Sequence, residues 1–273
     1  MEKYLETKGY RVSFHMRTWG RACGPQVESC VDVGINSEGL VSAYAPDIAK
    51  LKRQEQFHWA HYSSLQNGGV CQELWQTRMQ LNPPHSPGVI ELIMKSRRGL
   101  ADTYRRRFSQ ELYSDFELQQ SDLGRMSVGP VRGDVREVVD LAKPLYAWAI
   151  ESLQVSALRT PLATNGIEFD KQAKQIVLLR TLLKEIIGLP ENDAASLVAP
   201  LRGLNDLRVI AAHSLNHNFD DAFRKLGVES VPESPRGAWD RLVDHIVAAL
   251  DSISVELGRD TQRIEKEIIS STG

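Results

Sequence analysis

The run Leu204-Asn205-Asp206-Leu207-Arg208-Val209-Ile210-Ala211-Ala212-His213-Ser214 decides how the second half of the chain reads. Leu204, Leu207, Ile210 and Ala211 recur at helical spacing, so the run is the end of an amphipathic helix. The same period extends outward on both sides. Upstream, Asp134 caps a helix through Val135, Val138, Val139, Ala142, Leu145, Tyr146, Ala149 and Leu153, with a kink expected at Pro144. After a turn at Thr164-Asn165-Gly166, a second helix carries Ile176, Leu179, Leu183 and Ile186 and stops at Gly188-Leu189-Pro190. A third helix starts near Asn192 or Asp193 and passes Pro200 to reach the quoted run. Downstream, a short helix spans 218–226. Ser234-Pro235 then opens a long last helix with the stripe Trp239, Leu242, Val243, Ile246, Leu250, Ile253 and Leu257. Long amphipathic helices with short joints predict an all-α up-down bundle.

The N-terminal part has a different period. Tyr10 to Met16 alternates apolar and polar, as a half-buried strand does. Cys23-Gly24-Pro25 reads as a turn, Val27 to Ile35 as a second strand, Asn36-Ser37-Glu38-Gly39 as a hairpin turn, and Leu40 to Tyr44 as a third strand. These form a small antiparallel β-meander. Helices near Lys52–Tyr62 and Val70–Met79 are expected to cover it, with Phe57 and Trp59 packed on the sheet. Three prolines at 83, 84 and 87 interrupt regular structure before a long helix from about Val89 to Ser114. The glycine-rich, apolar-poor segment 121–133 reads as a boundary. The fold class is therefore α+β, with an α+β domain over 1–120 and a helical bundle over 134–273.

Composition excludes several classes. The chain has 273 residues, 42% hydrophobic and 25% charged, as ordinary globular proteins have. A net charge of -2 gives no global pull toward nucleic acid or membrane, so any such surface must be local. No apolar run is long enough to span a bilayer, and Met1 to Glu6 lacks the apolar core of a secretory signal. A cytoplasmic protein without membrane contact is expected. Cys23, Cys30 and Cys71 lack the spacing of a zinc or redox motif and read as reduced structural thiols. No Gly-Lys-Ser/Thr or Gly-x-Ser-x-Gly occurs, which argues against a phosphate loop and a hydrolase elbow.

The chemistry-bearing residues return to the quoted run. His213 is of the type suited to proton transfer near neutral pH, and Arg208 of the type that holds phosphate. Together they would cleave RNA through the ribose 2′-hydroxyl without a metal. Five residues on one helix place the two side chains roughly 140° apart, whereas Asp206 and His213, seven apart, lie on nearly the same face. A working site then needs a helix that ends before His213 or a second copy of the helix.

Arg208-x4-His213 at the end of a bundle helix resembles the signature of HEPN domains, compact α-helical bundles of bacterial toxin–antitoxin and antiviral systems and of some eukaryotic RNA-processing proteins. The resemblance covers about Asp134 to Ile269. It implies metal-independent RNA cleavage at a dimer interface by Arg208 and His213, with Asp206 beside them, no cofactor, and RNA as partner. It also implies a homodimer, or a place in a larger assembly. Val209 stands where active members commonly carry a polar residue. That favours the alternative of a catalytically inactive module that assembles with a partner.

Two other segments carry candidates. Lys95, Arg97, Arg98, Arg105, Arg106 and Arg107 form a basic run with Tyr104 and Phe108 between them, a pattern suited to nucleic-acid phosphates. Its competing reading is a solvated face paired with Glu111, Asp115 and Glu117. Glu55, His58 and His61, with Cys71 or His85, contain metal-ligand types, but without zincin spacing, so no metal is expected.

Overall fold

The structure is a computed structural model. It describes the chain apart from residues 1–3, 5–6, 8, 26–29, 37–39, 64–68, 83–85, 132–133, 214–218, 227–234 and 272–273, and gives backbone only for 211–213, 219–220 and 260–271. The protein is α+β, with an antiparallel sheet near the N-terminus followed by many helices. Its chain packs as two compact units. Unit 1 comprises Met1–Leu92, Leu118–Leu141 and Pro232–Asp240; unit 2 comprises Ile93–Glu117, Ala142–Val231 and Arg241–Gly273. The packing thus groups the chain differently from a cut at 121–133.

Unit 1 is built on four strands in the order β1 (Arg11–Phe14), β2 (Trp19–Cys23), β3 (Cys30–Ile35) and β4 (Val41–Ala43). The sequence showed three. β2 was missed because Gly20 and Ala22, its inward positions, are too small to register as an apolar alternation. Gly20 is required there: a Cβ would lie 2.3 Å from the Ser13 carbonyl oxygen. Val12, Ala22, Val31, Val33 and Ala43 share one face, and Tyr4, Leu51 and Trp59 pack against it. Cys23 and Cys30 are register partners in the β2–β3 pair and form a disulfide. That corrects their reading as reduced thiols: seven residues apart in sequence, they are brought opposite each other by the hairpin. Cys71 is free and buried.

Helices α1 (Ala45–Lys50), α2 (Arg53–His61) and α3 (Gln72–Arg78) follow. The second face of β3 is not solvent. Gly34 meets Cys71 and Leu74 of the α3 region, and Asp32 is buried. Asp32 accepts from Arg21 Nε at 2.8 Å and pairs with Arg78, while its own N–H donates to Asp47 at 3.2 Å. Asp47, also buried, accepts from Lys50 at 3.1 Å. This network ties sheet, α1 and α3 together with each carboxylate matched to a cation, as burial of charge requires.

The segment 121–133, read as a boundary, contains helix α5 (Gln120–Val128), which ends at Gly129 with φ +72°. Met126 and Val128 are buried. Two apolar residues at the helix end were too few to outweigh the glycines in the sequence. Buried Arg236 donates to the Arg17 carbonyl at 2.7 Å, to Asp240 at 3.1 Å and to the Val128 carbonyl.

Helix α4 (Val89–Phe108) stops six residues earlier than expected, where Ser109 adopts φ 54°. Within unit 2, residues after it run alongside the 152–154 segment: Ser114 donates to the Ser152 carbonyl and Gln154 to that of Leu112, each at 2.8 Å. Helix α6 (Val135–Tyr146) contains Pro144 and continues as a π-helical turn, Ala147–Glu151, where Ser152 donates to the carbonyl of Ala147 five residues back. Helices α7 (Val155–Thr164), α8 (Gln175–Glu185) and α9 (Glu191–His213) pack in succession, and α10 (Phe219–Lys225) packs on α9. Each turn falls where Gly166 (φ +69°) and Gly188 (φ +78°) were read. The last helix, α11 (Pro235–Ser271), buries its whole predicted stripe from Trp239 to Leu257. Each such leucine or isoleucine contributes roughly 2 kcal/mol of burial. The Ser234 cap lies outside the described residues.

Candidate functional site

Helix α9 positions the Arg208 region. Gly203 sits against α10 so closely that a Cβ would lie 2.7 Å from Leu226 Cγ and 2.8 Å from the Ala222 carbonyl oxygen. Leu204 and Leu207 are buried. Asp206, on the α10 side, accepts from Lys225 Nζ at 2.8 Å, and Lys225 also pairs with Asp221 at 3.0 Å. These two carboxylates hold the Lys225 ammonium above its ordinary pKa.

Arg208 projects elsewhere. Two residues past Asp206, it lies roughly 200° around the helix. Its guanidinium lies 4.6 Å from the centroid of the Tyr146 ring. Burial pushes the Tyr146 hydroxyl up, and Arg208 partly offsets that. Arg208 is half-buried and makes no salt bridge among the described residues. The structure therefore separates Asp206 from Arg208. The α9 backbone remains helical through His213, so the chain does not turn before the histidine to bring it beside the arginine. The His213 side chain lies outside the described residues.

The basic run on α4 divides into different roles. Lys95 and Arg98 are exposed. Arg105 is exposed but paired with Glu111 at 2.6 Å, which holds that carboxyl below its usual range. Arg106 donates to Thr103 Oγ1 at 3.2 Å, and Arg107 to the Leu257 carbonyl at 2.9 Å. Arg97 turns inward. It lies 4.1 Å from the Tyr113 ring centroid and 5.8 Å from that of Trp148, and donates to Ser152 Oγ at 3.2 Å. Burial lowers its pKa, and its Nε is buried without a partner. The run is thus not one continuous cationic face.

Tyr146 and Trp148 flank the start of the π-helical turn, and each carries an arginine on its ring. Sequence reading missed this pairing. The available signal was Tyr146-Ala147-Trp148 just after a proline inside a helix, a place where the hydrogen-bond ladder must shift.

The Glu55, His58, His61 group is occupied otherwise. Glu55 accepts from the hydroxyls of Tyr4 at 3.1 Å and Tyr10 at 2.9 Å. Cys71 lies 3.3 Å from Thr18 Oγ1, and His85 is outside the described residues. Among the described residues no three or more His, Cys, Asp or Glu side chains are grouped to hold a metal ion, and no helix is long and apolar enough to cross a membrane. No protein-family model, curated protein or solved structure matches the chain.

Proposed function

We propose that the protein is a HEPN-like RNA-binding or RNA-cleaving protein of a bacterial stress or antiviral system, with Arg208 holding the scissile phosphate and His213 moving the proton. The bacterial setting, the up-down bundle and a cytoplasmic location belong to this reading. Its main support is Arg208: a cation on an aromatic ring without a carboxylate partner among the described residues, on the helix that ends at His213. Because the two residues sit on different sides of one helix, the site is composite. Arg208 of one copy works with His213 of another.

The test uses labelled single-stranded RNA with EDTA present. Wild type cleaves; Arg208→Ala and His213→Ala each lose at least about 100-fold, the usual contribution of a positioned acid–base group. Mixing the two inactive variants restores part of the activity, because one composite site then keeps both residues. Silence of wild type on RNA and tRNA alike defeats the cleavage reading.

The second reading is an inactive assembly module. It is favoured by Asp206, which is engaged by Lys225, and by Val209. In that case neither variant changes any RNA reaction, and partner capture is the measurable function.

A further inference from the structure

We propose that Tyr146 is the positioning residue of the Arg208 site: its ring is the fixed surface that holds the guanidinium in place for a phosphate. This role rests on Arg208 holding phosphate, as proposed above. An arginine side chain has more rotamer freedom than most, and a cation that must stop moving when the phosphate arrives binds it less well. A cation already in place avoids that loss. The Arg208 guanidinium carbon lies 4.6 Å from the Tyr146 ring centroid, and its charge acts on the Tyr146 hydroxyl as well. A ring face attracts the charge without accepting the N–H groups, whereas a carboxylate would consume two of them. The root of the side chain is fixed too. Leu204 and Leu207 are buried, and Gly203 sits against α10. Both residues belong to unit 2.

A ring can position a cation only if the ring itself is held. Tyr146 is 7% exposed. It ends α6, two residues after Pro144, and the π-helical turn Ala147–Glu151 starts behind it, closed by Ser152 N–H on the Ala147 carbonyl at 3.0 Å. Around that turn Leu145, Tyr146, Trp148, Ala149 and Ile150 are all buried, more than one face of a regular helix can hide. The packing therefore grips Tyr146 from several sides. Two other arginine–ring pairs give the contrast. Arg53 lies 5.5 Å from the Phe57 centroid, but that ring, expected on the sheet, is instead 61% exposed and free to move with its arginine. Arg97 lies 4.1 Å from the Tyr113 centroid, but it donates to Ser152 Oγ and its Nε is buried, which makes that pair structural. Arg208 on Tyr146 joins a half-buried cation to a buried ring.

The experiment measures single-turnover cleavage of labelled single-stranded RNA by the full-length protein, in excess and with EDTA present. The variants are Tyr146→Phe, Tyr146→Leu, Arg208→Ala and Tyr146→Leu/Arg208→Ala. Tyr146→Phe keeps the ring face and is expected to cleave within about twofold of wild type. Tyr146→Leu is expected to lose about tenfold. On the Arg208→Ala background the same change is expected to cost nothing more, because the ring acts through that arginine. A ring that merely fills the core slows both backgrounds by the same factor, and that result overturns the positioning role. So does a Tyr146→Phe variant as slow as Tyr146→Leu. If Tyr146→Leu melts below the assay temperature, Tyr146→Met, whose flexible side chain fills irregular space, replaces it in the cycle. Slow cleavage by Arg208→Ala with full-rate cleavage by Tyr146→Leu refutes positioning alone and leaves the proposed function standing. Wild-type rates in Arg208→Ala, or silence of the wild type itself, defeat the proposed function and the positioning role together.

Discussion

A methyl group placed on Gly34 would lie 2.5 Å from Cys71 Cβ and 2.6 Å from its sulfur, inside a strand buried on both faces. Neither neighbour can retreat easily, since Cys71 is buried beside Thr18. Gly34→Ala should therefore cost about 1–3 kcal/mol, the usual penalty for overpacking. Gly99 gives the contrast. It lies inside α4 with nothing within 4 Å of its would-be Cβ, so Gly99→Ala should raise stability by up to about 1 kcal/mol through helix propensity. Urea titration of both variants checks the pair, and equal effects would contradict the packing described for Gly34. Asp32 teaches a related lesson about reading. Its place in an alternating strand marks it as solvent-facing, yet Arg21 and Arg78 bury it in a network whose partners lie 11 and 46 residues away. Nothing local in the sequence announces partners at that range.

At the scale of elements, legibility followed the size of the side chains that carry the period. The α11 stripe was plain because seven large residues repeat at helical spacing and are fully buried. β2 was hidden by glycine and alanine, and α5 by its glycines, although both are ordinary hydrogen-bonded elements. For the candidate site, Arg208 and the end of its helix were readable; the ring beneath Arg208 was not, because Tyr146 is 62 positions upstream and meets it only through packing. The β2–β3 hairpin supplies a test at this scale. Its disulfide closes a connection with a separation of seven residues, and loop-closure entropy for so short a loop gives about 2 kcal/mol. Dithiothreitol should lower the melting temperature of wild type but leave Cys23→Ser/Cys30→Ser unaffected. A wild-type protein with three titratable thiols before reduction would contradict the bond.

For the molecule as a whole, buried tyrosines set the alkaline limit. Burial holds the hydroxyls of Tyr4, Tyr104 and Tyr113 well above their usual range. The folded protein thus keeps protons that the unfolded chain gives up near pH 10. Their contribution is complete below about pH 10 and is lost as pH rises through the higher folded-state values. The melting temperature should fall above about pH 10, with tyrosinate absorbance from these groups appearing only on unfolding. Smooth ionisation of every tyrosine in the folded state would refute the burial assigned to them. The interleaving of the two units bears on how the gene can be divided. A polypeptide ending near residue 120 holds β1 to β4 without the 118–141 and 232–240 pieces of unit 1. One starting at 134 lacks the Ile93–Glu117 piece of unit 2. Each half thus lacks segments that pack with the unit it carries, so the halves expressed separately should be insoluble, and expressed together they should recover each other as a split protein does.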